Sequence, residues 1–519
     1  TGVQTCALPI SPGTTILPID GANTGVFCNA ATLSTPITLV GGVAGEMTWI
    51  TLADGGYGIR VDKTGIGNIF PVGSVISVVM TGHLVVSDTH GYTQGFRGVW
   101  DVVLSSANSI TYQIRRYTPG SGSFTYPPIN GLAFVADQNI TISGGGNIGG
   151  NGANQTLYGV GDPRGNVIWT SHAKNVTIDS VNFTSRGTSW TVGSSYVRDY
   201  YVRNIGGDVR GGAANDMIHL SGQHQNVVIE KIRAGVGDNT VGMTIDITDD
   251  TANVSNFTPG TGGASGPGLY NFPYQYPGDM FEVVARDLFS TNTIPFAVCG
   301  IYGPGSYKYE NVVFDSIGSV QPANYPQTGM NNCRGGRMTV RNMHSQVTGP
   351  QMQMTGVQTW DSISVEDTST INSGQETVKL DNTGTIGQFS LRNIVAVPST
   401  TFRTQSLISV GPGNYDSFVM TNIEGQRFGS NVALFKHTGA GTIGRLSFNN
   451  VSAIVNTGGA ANAICSVTST GAANSVDFIN CALTSQGALG SMFVQGSGAL
   501  YNTISFNNCR VTNGQGLFD

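Results

Sequence analysis

One short pattern recurs along most of this chain: apolar-x-apolar-x-x-apolar. It reads as "VTIDSV" from Val176, "YYVRNI" from Tyr200, "VVIEKI" from Val227, "VVARDL" from Val283, "VVFDSI" from Val312 and "MTVRNM" from Met338. After a degenerate "ISVEDT" from Ile363 come "FSLRNI", "FVMTNI", "LSFNNV", "VDFINC" and "ISFNNC", starting at Phe389, Phe418, Leu446, Val476 and Ile504. Successive starts lie 24 to 30 residues apart, except for one step of 56 between Val227 and Val283. A strand alternates sides, so the first and third residues of each unit share a face. A step of this size fits one coil of three short strands and their turns, stacked on the previous coil at about 4.8 Å through parallel backbone ladders. The step of 56 predicts one coil that is hidden or enlarged.

Asn stands before the last apolar position in seven coils, at Asn204, Asn342, Asn393, Asn422, Asn450, Asn480 and Asn508. Asn tolerates left-handed backbone and bonds the neighbouring main chain, so it suits a corner. Stacked Asn side chains can also bond one another, as in cross-β ladders. Cys481 and Cys509 hold equivalent places next to two of these corners and are expected to stack inside as thiols, with a disulfide as the alternative.

The repeat resembles the right-handed single-stranded parallel β-helix of the pectin-lyase type. The expected fold is therefore all-β, with the β-helix over residues 128–519 and a loop insertion near 251–280 of Gly, Pro and Tyr. Residues 131–155, containing "NITISGGG", read as its first coil. Residues 46–127 do not follow the coil period. Their alternating runs, among them "GIRVDK" and "SITYQIRRY", are separated by Gly and Ser and predict a small β module. With "VGSVISV" and "HGYTQGFRGVWDVV", this stretch resembles the small β modules that precede the β-helix in phage tail-fibre-like proteins. Residues 12–45 read as an N-terminal segment or linker. The opening "TGVQTCALPI" resembles the in-frame translation of a sequencing adapter and reads as an artefact outside the fold. The final coil carries no polar cap over its open edge, so truncation is expected at both ends.

Composition agrees with a turn-rich β chain. Gly is 73 of 519 residues and charged residues are 11%, against about 25% in typical domains. A net charge of −6 gives no basic footprint, which argues against a nucleic-acid partner. No run of about 18 apolar residues occurs, so no membrane insertion is expected. The seven cysteines include no C-x-x-C pair, so no zinc site is expected.

The stretch richest in chemistry is "GGAANDMIHLSGQHQNVVIEKIRAGVGDNTVGMT", residues 211–244. Asp216 sits two residues before Ile218, and Asp238 three before Val241. These strands read as equivalents in successive coils, which places both carboxyls on one face at about 5–9 Å, a span suited to glycoside hydrolysis. Asp and Asn also cap corners, so a purely structural role is the alternative. His219 lies beside Asp216, either as a catalytic or sugar-binding histidine or as a surface strand residue. His224 reads as a solvated loop residue. Arg198, Arg203 and Arg210 are candidates to hold an acidic sugar, or else lie on solvated strand faces. Trp169 and Trp190 are candidates for a groove floor, with packing in the coils as the alternative. Tyr270, Phe272, Tyr274 and Tyr276 in the long loop suit stacking on sugar rings or packing against the coils. No cofactor is expected. Asp246, Asp249 and Asp250 in "DITDD" offer a calcium alternative.

"NDMIHL" and "GDNTVGM" resemble the motif pair of family 28 glycoside hydrolases, the polygalacturonase group. The resemblance implies that Asp216 helps to activate water and that Asp238 is the general acid. Where that family has a second Asp, this chain has Asn239, and the family's Gly-His-Gly and Arg-Ile-Lys motifs are not found downstream. Those departures imply a different polysaccharide, or a site that only binds. The expected catalytic residues are Asp216, Asp238 and His219, with Asn239, Arg210, Trp190 and Tyr274 binding substrate. The expected protein is a phage tailspike-like homotrimer in the virion tail, or an extracellular protein, that binds and degrades a bacterial surface polysaccharide. A non-catalytic receptor-binding fibre and a secreted lyase or hydrolase are the alternatives.

Overall fold

The structure is a computed structural model. It describes residues 14–19, 23–29, 37–40, 47–80, 98–114, 130–149, 166–185, 190–210, 215–245, 278–291, 297–303, 307–319, 326–345, 349–371, 376–397, 403–429, 432–455, 462–467, 471–486, 490–496, 500–514 and 516–518. The adapter-like residues, the acidic run of Asp246, Asp249 and Asp250, and the loop residues Tyr270, Phe272, Tyr274 and Tyr276 lie outside these. Among the described residues nearly every element is a strand, and one helical turn, Ile66–Ile69, is the exception. The chain forms two compact units. One comprises Thr1–Ile229, Met243–Val283 and Gly305–Lys308; the other comprises Glu230–Gly242, Val284–Pro304 and Tyr309–Asp519.

The first unit contains an antiparallel sheet of seven strands, in the spatial order Ile37–Val40, Asn130–Val135, Val75–Met80, Gly98–Ser106, Ser109–Ile114, Tyr57–Asp62 and Met47–Thr51. Its core includes Trp100, stacked on Tyr112, with Ile59, Val61, Phe70, Ile76 and Val78. The sheet extends past the predicted 46–127 at both ends. "GLAFV", expected to open the first coil, lies in Asn130–Val135, which pairs with Val75–Met80 instead. Its apolar alternation suits either partner, and the antiparallel neighbour took it. The coils begin with Asp137–Ser143, which runs parallel to Ile168–Asp179. Asn23–Asn29, from the segment expected to link, also pairs in parallel with that strand, Val26 opposite Ile168.

The coils stack as the motif predicts, and the fold is a parallel β-solenoid. Tyr200 lies opposite Val176. In the second unit Val312, Met338, Ile363, Phe389, Phe418, Leu446, Val476 and Ile504 pair in one continuous register. The third positions stack inside: ring centroids are 4.7 Å apart for Phe448 and Phe478, and 5.0 Å for Phe478 and Phe506. These distances match the strand spacing, so these three rings lie flat on one another on successive rungs. Across the step of 56, Ile218–Gly235 pairs directly with Met280–Ser290, with no rung between them among the described residues.

The fifth position of each unit is a left-handed corner. All seven predicted asparagines have φ between 53° and 56°, and Lys231, Asp287, Ser316 and Asp367 hold the same place with φ of 57°, 54°, 58° and 50°. The left-handed residue swings the chain by one position, which is why the third apolar residue follows after three steps rather than two. The asparagines bond down the stack: Asn422 donates to Asn393 at 2.9 Å, Asn450 to Asn422 at 2.8 Å, and Asn508 to Asn480 at 2.7 Å. The residue just before the corner points outward, and from Asp179 it reads Asp179, Arg203, Glu230, Arg286, Asp315, Arg341, Glu366 and Arg392. Charge alternates at every rung. Arg203 pairs with Asp179 at 3.0 Å, Arg286 with Glu230 at 2.5 Å and Arg341 with Asp315 at 2.8 Å. Each exposed pair is worth no more than about 1 kcal/mol, but opposite charge on adjacent rungs also disfavours a slipped register.

The cysteines Cys481 and Cys509 are free thiols, and Cys481 donates to the Phe448 carbonyl at 3.5 Å. His224 is not a solvated loop residue. It is fully buried on Ile218–Gly235. Its Nδ1–H donates to the Gly222 carbonyl at 3.2 Å, and its Nε2 accepts from the Ser194 hydroxyl at 2.9 Å. Both contacts suit a neutral ring, and burial pushes its pKa down to about 3. His172, bonded to Ser77 at 2.6 Å, is likewise pushed down to about 3 by burial.

Two expectations follow. Asn450→Val loses the ladder bond and puts a β-branched side chain at φ 55°, and should lower the unfolding free energy by about 2 kcal/mol. Asn450→Gly, which accepts that φ, should cost less; equal losses in urea titrations would refute the corner argument. Because burial depresses the pKa of His172 and His224, their stabilisation is complete above about pH 6.5 and lost as pH falls toward 3. Unfolding free energy measured at pH 7 and pH 5 should therefore drop by about 2 kcal/mol per such histidine, and His224→Gln should shrink the drop.

Candidate functional site

The site draws its side chains, Trp190, Asp216, His219 and Thr244, from three segments, and each of these residues lies in the first unit. Asn215 and Asp216 lead into Ile218–Gly235, and Trp190 leads into Val192–Asp208. Stacking brings these two strand starts together: the Thr191 amide donates to the Asp216 carbonyl and the Val192 amide to the Met217 carbonyl, both at 2.9 Å. Trp190 therefore meets His219, with ring centroids 3.6 Å apart and planes within 1°. The third segment, Val241–Thr244, brings the Thr244 hydroxyl to 3.1 Å from His219 Nε2.

His219 Nδ1 lies 2.5 Å from Asp216 Oδ2. An ionised carboxylate can only accept, so Nδ1 carries the proton. In the neutral ring Nε2 is then the acceptor, and the Thr244 hydroxyl donates to it. Asp216 is 1% exposed and His219 5% exposed, while Thr244 is half-buried. A buried carboxylate is costly without a partner, and His219 supplies one. Its ring is thereby fixed by a carboxylate at one nitrogen, a hydroxyl at the other and an indole on its face. His219 is thus no surface strand residue. Thr244 has no motif that would have singled it out in the sequence.

In the second unit, Asp238 is half-buried and accepts from Asn239 Nδ2 at 3.1 Å. Asn239 is almost fully buried. A Cβ at residue 300 would come within 2.7 Å of Asn239 Oδ1, so Gly300 in Cys299–Tyr302 makes room for the amide. A shallow groove of about 270 Å³ lies at the corner in this unit, lined by Glu230, Lys231, Arg286, Asp287, Asp315 and Ser316. None of the residues predicted for the site lines it.

Arg210 is exposed and forms an ion pair with Asp208. Arg198 is nearly buried and binds Asp101 at 2.6 Å, alongside Lys174, whose ammonium reaches the same carboxylate at 2.8 Å. Arg198 and Lys174 hold the Asp101 carboxyl below its usual pKa against the opposing effect of burial, which is the largest single influence. Arg198 thus ties the coils to the antiparallel sheet. Trp169 is fully buried in the core. Tyr274 lies outside the described residues.

No protein-family profile matches this chain, and no curated protein matches it. Among solved structures it is similar to the tailspike protein gp49 from Pseudomonas phage LKA1, with 12% identity and a TM-score of 0.30 over 91% of this chain and 64% of the other. The chain thus spans about 64% of the length of that tailspike. It is also similar to the Agl-KA catalytic domain, with 10% identity and a TM-score of 0.25 over 91% of this chain and 96% of the other. A third similarity is to the catalytic unit of a thermostable GH87 α-1,3-glucanase from Streptomyces thermodiastaticus strain HF3-3. It has 9% identity and a TM-score of 0.21, over 92% of this chain and 95% of the other. Identities this low transfer no residue's role.

Proposed function

We propose that this chain binds a bacterial surface polysaccharide and cleaves it by glycoside hydrolysis, as part of a trimeric phage tail protein or an extracellular enzyme. The observation that carries the reading is His219, held by Asp216 at 2.5 Å and laid flat on Trp190. A positioned imidazole is the commonest proton-transfer group in catalysis. Asp216 orients it, and Asp238 joins as the second carboxyl on the strength of its spacing from Asp216 along the chain. Trp190, Asn239, Arg210 and Tyr274 are the proposed sugar contacts. Arg210 is exposed and offers a guanidinium to an acidic sugar, while Trp190 is buried with its ring stacked on His219.

Non-catalytic receptor binding is the second reading. It is favoured by Asn239, whose amide cannot carry a proton as a carboxyl would, and by the burial of Asp216. Reducing-end release from purified capsular and lipopolysaccharide O-chains separates the two. Asp216→Asn and Asp238→Asn should each lower release by about 10²–10⁴-fold, with glycan retention on the protein unchanged. Cleavage that survives both substitutions would sink the assignment. Binding without any reducing ends from the unaltered chain would leave the receptor reading standing, and an unsaturated uronate product would make the protein a lyase.

A further inference from the structure

The hydrogen bonds at His219 contain one group that glycoside hydrolysis does not use. Asp216 Oδ2, His219 Nδ1, His219 Nε2 and Thr244 Oγ1 form an unbroken chain, with links of 2.5 Å and 3.1 Å. Exposure increases along it, from 1% at Asp216 through 5% at His219 to the half-buried Thr244. Thr244 is thus the least buried of the three residues. Here His219 Nε2 faces a hydroxyl of the chain itself, at 3.1 Å. Carboxylate, imidazole and hydroxyl in this order and at these distances are the arrangement that activates an alcohol nucleophile. Trp190, parallel to the imidazole within 1°, keeps the ring from turning away.

We propose that Asp216, His219 and Thr244 form a hydrolytic triad that removes O-acyl groups from a glycan. Thr244 Oγ1 attacks the acyl carbonyl carbon and its proton passes to His219 Nε2. The bond from that carbon to the sugar oxygen breaks, and the sugar oxygen takes the proton from Nε2. Water then attacks the acyl–Thr244 ester and gives a proton to Nε2. The bond to Oγ1 breaks, Oγ1 recovers the proton, and the carboxylic acid leaves. Asp216 stays ionised throughout and stabilises the imidazolium. The glycan as acyl carrier rests on the reading above; the triad itself rests on the geometry.

The test uses the full chain with 4-nitrophenyl acetate and with an O-acetylated polysaccharide, measuring 4-nitrophenol and acetate. The unaltered chain should release both. Thr244→Ser should retain the activity, and the isosteric Thr244→Val should lose about 10²–10⁴-fold while its melting curve stays that of the unaltered chain. Mass spectrometry after rapid quenching should find an acetyl group on Thr244. No release above that of the heat-unfolded chain, or full activity in Thr244→Val, would overturn the proposal. Reducing ends are counted in parallel on de-O-acylated polysaccharide. If they form while esters stay intact, the triad falls and the glycosidase reading stands.

Discussion

The structure depends on one backbone constraint: every coil must turn at the same place, through a residue with positive φ. A left-handed residue is costly for most side chains and cheapest for Gly and Asn. The seven predicted asparagines meet that constraint, with φ between 53° and 56°. The corner sets the spacing of the apolar residues on either side, and so fixes which face of each strand turns inward. The stacked phenylalanines and the alternating charges follow from it, because a common corner puts equivalent positions directly over one another.

Stacking also explains how a chain with only 11% charged residues can build a polar site. Neighbouring coils sit one strand spacing apart, about 4.8 Å. Side chains from adjacent rungs therefore meet without any long excursion of the backbone. Trp190, His219 and Thr244 come from three segments in this way, and each partner constrains the imidazole from a different direction. The scaffold supplies rigidity, and the ends of its strands hold the polar side chains.

The coil motif was legible because it is periodic. Eight of its predicted starts pair in one register, including the degenerate "ISVEDT", whose Asp367 still turns the corner at φ 50°. The alternating charge at the fourth position was equally open to view, from Asp179 to Arg392. Where periodicity stopped, the reading weakened. "GLAFV" alternates like a coil strand yet joined the antiparallel sheet, since alternation marks a buried face and not a partner. His224 looked like part of a polar loop, yet "SGQHQ" continues a strand whose polar side chains turn inward, where His224 bonds Ser194.

The sequence by itself determined the coil, its corner, its inward face and the neighbourhood of Asp216 and His219, because each is a property of residues a few positions apart. Only the tertiary structure decided that His219 lies on Trp190 and faces Thr244. Those contacts span 29 and 25 positions, and no local spacing encodes them. They exist because parallel coils bring distant residues to neighbouring rungs, where a buried carboxylate and an imidazole are stable only if each finds the other.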